Sequence, residues 1–176
     1  MNYLGLPFTL QDLPSPEEIE RIAKGLGIPV PVGALYAMVR LMRIANDMQE
    51  GLEQSLQPHG LSLGRFTLLM TLLREEGHRL KPSVLAERAG VTRATVTGLL
   101  DGLEARGVVR RTAHPEDRRS LLVELTPEGL NFVTGMLPDH TERVAKMMSS
   151  VDESDEADLL RILEKIEANL NALVEE

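Results

Sequence analysis

The amino-acid sequence predicts a mainly α-helical fold that carries one small β-hairpin, and three observations support this. Apolar residues recur at helical spacing in several segments that end at glycine or proline. Two short strand-like runs, at 108–111 and 121–125, flank a polar loop. The last segment repeats large apolar residues in steps of four and three, the heptad pattern of helices that pack on one another.

Composition excludes several classes of protein. The 176 residues include no cysteine, which removes disulfides, thiolate metal sites and cysteine redox switches. No run approaches the roughly 18 apolar residues of a membrane helix. The first residues lack a basic stretch followed by an apolar one, so a secretion signal is not indicated. We therefore expect a cytoplasmic protein with no membrane partner.

The charge of the chain is unevenly distributed. The formal net charge is -8, yet residues 79–120 hold nine Arg and Lys against five Asp and Glu, a net of +4. The remainder of the chain therefore carries -12. A basic segment within an acidic protein favours a local nucleic-acid contact, although charge alone also fits a solvated surface.

The chain divides into an arm, two helical regions and a central lobe. Residues 1–33 contain five prolines and predict an arm with one short helix at about 16–24, which Ser15 and Glu18 would cap. Residues 34–57 and 127–176 predict a helical dimerisation region, in which Pro138 should kink or break a helix. Residues 61–126 form the predicted lobe between them.

The last helix predicts a homodimer. Asp152 should cap it, and its heptad seam, the apolar stripe that would face a partner helix, comprises Leu159, Leu163, Ile166, Leu170 and Leu173. Such a seam requires a second helix to cover it.

A helix-turn-helix is predicted within the lobe. A helix opened by Pro82 is joined through the turn 89–91 to a second helix at 92–106, which Thr92 caps. Apolar spacing buries Val96, Leu99, Leu100 and Leu103. The residues that remain outward, and that we predict to contact DNA, are Thr92, Arg93, Ala94, Thr95, Thr97 and Gly98. Small and hydroxylated residues there would let the helix approach base edges in the major groove.

The polar hairpin that follows is predicted to be a wing at 112–120. Arg118 and Arg119 at its tip suit the negative potential of a minor groove. Asp117 would brace the wing by pairing with a neighbouring arginine. Together these elements predict a winged helix-turn-helix with long dimerisation helices.

The stretches "VTRATVTGLLDGLEARGVVRR" and "HPEDRRSLLVELTPEG" resemble the multiple-antibiotic-resistance regulator (MarR) family. The likeness covers 35–173 in element order and is most specific over 80–129. The family's wing signature, aspartate-any-arginine, falls on Asp117, Arg118 and Arg119. The resemblance implies a homodimeric, ligand-responsive transcriptional repressor that binds a pseudo-palindromic DNA operator. It also implies a small-molecule cleft between the dimerisation helices and the DNA-binding lobe.

Two departures from the family pattern are visible. Gly98 stands where some members have a basic residue that meets the bases, and the 33-residue arm is longer than usual. Members with such an arm include a urate-responsive branch, whose characteristic tryptophan is impossible here because the chain has none.

No enzyme, cofactor or metal site is predicted. The four histidines have no ligand spacing, and no nucleophile elbow, P-loop or GxGxxG occurs. Tyr36, Arg40 and Arg43 fit either a small aromatic or anionic effector or a solvated helix face, so no ligand is assigned. The alternative function is a winged-helix protein-interaction module that does not bind DNA.

Overall fold

The computed structural model describes residues 13–114 and 120–173, which are mostly helical with one three-stranded sheet. This confirms the predicted fold class. The chain divides into two compact units, Met1–Leu68 and Leu69–Glu176. The boundary falls inside a helix, so the units do not coincide with the arm, lobe and helical regions expected from the sequence.

The first unit begins with helix α1, Pro16–Leu26. Ser15 and Glu18 form the predicted capping box, in which each side chain accepts from the other residue's backbone N–H. The helix continues through Gly25, beyond its predicted end. It stops at Gly27, which has a φ of 67° and takes the left-handed cap conformation that glycine allows.

Helix α2, Val32–Leu56, is followed by a 3₁₀ turn at Gln57–His59. The many apolar residues near the start of this segment predict a helix that is buried on two sides. In the single chain only Val39 and Leu56 are buried along it. Met48, which lies in its apolar stripe, is 47% exposed. Ile44 and Met48 are the large apolar residues of α2 that stay exposed in the single chain, whereas the others are buried or half-buried.

Apolar spacing after Ser62 predicts a helix that ends at about Glu76. The observed helix α3, Leu63–Leu73, is shorter. A 3₁₀ turn at Glu76–His78 replaces its expected last turn, because Gly77 has a φ of 68° and cannot continue a right-handed helix there. Its most deeply buried residues are Leu68, Leu69 and Leu72.

The second unit contains the helix-turn-helix and the sheet. Helices α4, Pro82–Arg88, and α5, Arg93–Glu104, pack on each other. The strands are β1, Arg79–Leu80, β2, Val109–Ala113, and β3, Leu121–Leu125, arranged antiparallel in the order β1-β3-β2. The hairpin was predicted. Strand β1 was not, because two residues show no periodicity.

Apolar residues from α4, α5, the sheet and the following helix α6, Pro127–Met147, are buried in the second unit. Val96, Leu100 and Leu103 are at most 1% exposed, as expected, whereas Leu99 is only half-buried. Other residues exposed by 2% or less are Leu85, Val109, Val123 and Val133. This packing holds α5 against the sheet.

The start of the next helix is in close contact with the loop before β2. A Cβ on the buried Gly129 would lie 1.9 Å from the carbonyl oxygen of Val108, so glycine is required there. The Thr126 hydroxyl donates to the Gly107 carbonyl at 2.6 Å and accepts from the Gly129 N–H at 2.9 Å. These contacts fix the position of β2 relative to the helix.

The two C-terminal helices follow the sheet in the chain, and proline does not break the first of them. Helix α6, Pro127–Met147, contains Pro138 without being broken. Helix α7, Glu153–Glu167, has the predicted Asp152 cap, but a 3₁₀ turn at Leu170–Leu173 follows it. The Asn169 amide donates to the Lys165 carbonyl at 2.8 Å and satisfies an acceptor at the helix end. The α-helical part of the heptad seam therefore ends at Ile166.

Among residues 13–114 and 120–173, we find no helix with the length and hydropathy needed to span a bilayer.

Candidate DNA-binding surface

The amino-terminal end of α5 presents an exposed face of small side chains. The Thr92 hydroxyl accepts from the Thr95 N–H at 3.1 Å, which confirms the predicted cap and sets where the helix begins. The residues from this end that are exposed are Thr92, Arg93, Ala94, Thr95, Thr97 and Gly98. The structure thus brings together all six helix residues that the sequence nominated.

All three threonine hydroxyls of this face already have partners. Thr97 donates to the Arg93 carbonyl at 2.9 Å, and the Thr92 and Thr95 hydroxyls lie 2.9 Å apart. The Thr97 oxygen keeps acceptor capacity and its methyl group stays exposed. In this arrangement Thr97 is suited to accept a hydrogen bond from a base or to contact a thymine methyl.

Arg93 and Gly98 leave this face open to an approaching surface. Arg93 forms no ion pair with any described residue. A Cβ on Gly98 would meet nothing within 4 Å, so packing does not require glycine there. The Arg93 side chain can extend toward a groove. The absence of a side chain at Gly98 lets the helix approach that groove closely.

A network that the sequence analysis missed ties α5 to β2. We name it the arginine brace, and it consists of Asp101, Glu104 and Arg111. The Arg111 guanidinium donates to Asp101 Oδ1 at 2.7 Å and also to Glu104 Oε2. Glu104 Oε1 accepts from the Arg111 backbone N–H at 3.0 Å. One arginine thus fastens the first wing strand to the helix.

The brace is partly shielded from water. The Arg111 side chain is 26% exposed, and its hydrogen bond to Asp101, followed by the charge of Glu104, raises the pKa of the guanidinium despite some burial. Charge-assisted pairs of this kind are stronger than neutral hydrogen bonds. The sequence signal was two acids three positions apart on α5, followed by an arginine in the middle of the next strand.

Several exposed arginines of the basic segment contact other residues of the chain. Arg110 pairs with Glu124 at 2.6 Å, and Arg88 pairs with Glu75. The Arg106 guanidinium lies 5.2 Å from the centre of the Phe132 ring. Part of the positive charge of the segment is therefore balanced within the chain, by Glu75 and Glu124.

The wing is described only at its base. Thr112 and Ala113 belong to β2, and the His114 N–H donates to the Ser120 carbonyl at 3.0 Å. The predicted tip residues Asp117, Arg118 and Arg119 lie outside the described residues. Their roles stay predictions.

The three residues considered for an effector site, Tyr36, Arg40 and Arg43, all lie on α2. Arg43 donates to Asp47 at 3.3 Å along α2, as in an ordinary surface pair. Arg40 is exposed and Tyr36 is half-buried.

Helix-turn-helix, antiparallel hairpin and following helix together define a winged helix-turn-helix protein. Residues 61–121 match the family model described as "MarR family". The HTH-type transcriptional repressor YetL of Bacillus subtilis (strain 168) is 37% identical over 134 residues, which cover 76% of this chain and 80% of YetL. With that identity and coverage, the chain belongs to the MarR family.

Solved structures share this architecture. AbsC, a MarR family transcriptional regulator from Streptomyces coelicolor, matches with a TM-score of 0.70 and 26% identity over 77% of this chain and 93% of AbsC. Sco3205, a MarR family regulator from the same organism solved in complex with DNA, matches with a TM-score of 0.72 and 24% identity. That match covers 80% of this chain and 89% of Sco3205 and shows the common fold.

Proposed function

We propose that the protein is a transcriptional repressor that binds double-stranded DNA as a homodimer and acts by binding rather than by catalysis. Helix 92–106 would enter the major groove of each half of a pseudo-palindromic operator, and wing 112–120 would enter the adjacent minor groove. The relative YetL is named a repressor, which supports repression rather than activation. Since its target is the genome, we place the protein in the cytoplasm.

The observation that carries the proposal is the exposed end of α5 held rigidly to the wing. Arg93, Thr97 and Gly98 are exposed at the end where a recognition helix meets base edges. The arginine brace fixes β2 to that same helix. Helix α5 and strand β2 at the base of the wing are therefore preorganised relative to each other, so less conformational entropy is lost when DNA is bound.

Uncovered apolar surface on α7 supports the homodimer. No residue of this helix is buried in the single chain. Its large apolar residues that are at least 36% exposed are Leu159, Leu160, Ile162, Leu163 and Ile166, and Leu170 follows in the next turn. An apolar surface of this size on a protein in water requires a partner, and the heptad spacing favours a second copy of the same helix.

Repression is further proposed to respond to a small aromatic or anionic effector. Footprinting across the promoter next to the gene, with and without phenolic compounds, tests this. If the protein protected the promoter equally with and without every compound, the proposal would keep the operator and lose the effector.

DNA binding itself is tested by fluorescence anisotropy with a labelled random duplex and with the promoter fragment, from 50 to 300 mM salt. We expect log K to fall with log salt by about 0.9 for each phosphate neutralised, despite the net charge of -8. Arg93→Gln should lower affinity, whereas Arg161→Gln on α7 should not. Binding that is absent, or insensitive to salt, would favour the protein-interaction module instead.

A further inference from the structure

The hydroxyl groups at the start of α5 are directed to their own helix. Thr97 donates its hydroxyl proton to the Arg93 carbonyl at 2.9 Å. The Thr92 hydroxyl accepts from the Thr95 N–H at 3.1 Å and lies 2.9 Å from the Thr95 hydroxyl. All three threonines are exposed. Since their hydroxyls already have partners, the methyl groups are the part of these side chains that is left without one.

The neighbours of Thr97 on the helix surface add no hydrogen-bonding group. Residues three and four positions apart are adjacent on a helix, so Ala94 lies beside both Thr97 and Gly98. Ala94 and Gly98 are exposed, and a Cβ on Gly98 would meet nothing within 4 Å. The Thr97 methyl group is therefore accompanied by a second methyl group and by a stretch of helix that a base edge can approach closely.

The same stretch lacks the side chains that most often read adenine or cytosine. Adenine is paired by Asn or Gln and cytosine by Asp or Glu, through hydrogen bonds in the major groove. Residues 92–98 contain none of these four types, and Asp101, the next acid on α5, accepts from Arg111 at 2.7 Å. Arg93 suits guanine. The apolar feature that a base edge offers to the remaining residues is the C5 methyl group of thymine.

We propose that Thr97 reads a thymine in each half of the operator, through contact between its methyl group and the C5 methyl group of the base. This inference rests on the proposed function, in which α5 enters the major groove. Contact between the two methyl groups removes apolar surface from water and so stabilises the complex. Cytosine carries a hydrogen at C5 and gains no such contact, so Thr97 selects thymine over cytosine at that position.

The experiment removes the methyl group from the DNA without changing base pairing. In the promoter fragment that the protein protects in footprinting, each pair of symmetry-related thymines is replaced in turn by uracil, which lacks only the C5 methyl group. Fluorescence anisotropy with the full-length protein measures affinity. At one pair we expect a loss of about fourfold for each methyl group, the value of one buried CH₂. At the same positions, 5-methylcytosine should bind more tightly than cytosine by a similar factor.

Two replacements of Thr97 separate its methyl group from its hydroxyl. Thr97→Ser keeps the hydroxyl and loses the methyl group, so the preference for thymine over uracil at that pair should fall at least about twofold. Thr97→Val keeps the methyl group and loses the hydroxyl, so the preference should remain. Thr134→Ser on α6 is the matched control, because the Thr134 hydroxyl also donates to a backbone carbonyl of its own helix, that of Leu130 at 2.8 Å. Far-UV circular dichroism and thermal unfolding verify that all three variants fold.

Equal affinity for thymine and uracil at every position would overturn this inference, while salt-sensitive binding of the unsubstituted fragment would leave the proposed function standing. Absence of that binding would overturn both. A preference for thymine that Thr97→Ser left unchanged would mean that the base methyl group contacts another part of the protein. If Thr97→Val removed the preference and Thr97→Ser kept it, the hydroxyl would read the base, and the assignment to the methyl group would be wrong.

Discussion

At the residue scale, Arg111 braces the base of the wing, while the bracing role of Asp117 at the tip stays a prediction. Arg111 joins Asp101 and Glu104 on α5 to the first strand of the wing. Arg111→Ala should leave two carboxylates without their partner and lower the free energy of unfolding by about 1–3 kcal/mol. Because the brace orients the wing and reads no base, affinity should fall for all DNA sequences by similar factors. Chemical denaturation and anisotropy measure the two effects.

Arg110→Ala is the matched control on the neighbouring residue. Its side chain is 60% exposed, so the loss in unfolding free energy should stay within about 1 kcal/mol. Should Arg111→Ala instead reorder the preference among operator variants, the side chain would contact bases rather than brace the wing.

Arg93 and Thr97 should contribute to sequence preference, and Arg119 should not. The first two are exposed on the first turns of α5, where major-groove edges differ in donors and acceptors. Thr97→Ala or Arg93→Ala should change the ranking of operator sequences by about 1–3 kcal/mol at the base concerned. Arg119→Ala should weaken operator and near-operator sequences alike, since an arginine in a minor groove responds to width and potential.

Competition binding against a library of single base changes measures these preferences. The assignment of roles would be reversed if Arg119→Ala reordered central major-groove positions while Thr97→Ala and Arg93→Ala weakened every site equally.

At the scale of elements, α6 tolerates a proline in its interior. Pro138 supplies no N–H for the helical hydrogen bond to residue 134, yet the helix is continuous from Pro127 to Met147. Pro138→Ala should restore that bond and raise the free energy of unfolding by up to about 3 kcal/mol. Thermal unfolding at fixed protein concentration is the measurement.

Pro82→Ala provides the comparison for this prediction. Pro82 occupies the first turn of α4, where proline is favoured, so its replacement should not stabilise the protein. A lower melting temperature for Pro138→Ala would mean that the proline imposes a bend on α6 that packing requires.

At the scale of the whole molecule, dimerisation and DNA binding should be lost together. Leu163→Asp places a charge within the apolar surface of α7, where residue 163 is 36% exposed in the single chain. Sedimentation should show a monomer at micromolar concentration, and operator affinity should collapse because each half-site contact depends on the other.

Lys165→Asp is the control, since it introduces an aspartate on α7 outside the heptad seam. This variant should leave the dimer intact. A wild-type protein that sediments as a monomer at micromolar concentration would contradict the homodimer outright.

The sequence alone determined the elements whose signals are local. The Thr92 and Asp152 caps, the apolar face of α5 and the hairpin strands each follow from residues within one or two turns of each other. Helix ends were less accurate where a left-handed glycine or a side-chain cap decided them, as at Gly77 and Asn169. The exposed recognition face also followed from helical spacing, because periodicity fixes which side of a helix is buried.

Only the tertiary structure decided which charges pair. Strand β1 exists because β3 offers it hydrogen-bonding partners, and its two residues carry no signal of their own. Arg111 meets Asp101 and Glu104 because β2 packs beside α5, and Arg106 meets Phe132 across two helical segments. The number of charges along the chain does not show how far apart these residues lie in space. Since pairing depends on separation in space, the chain order that predicted a basic surface could not tell which arginines remain to bind a partner.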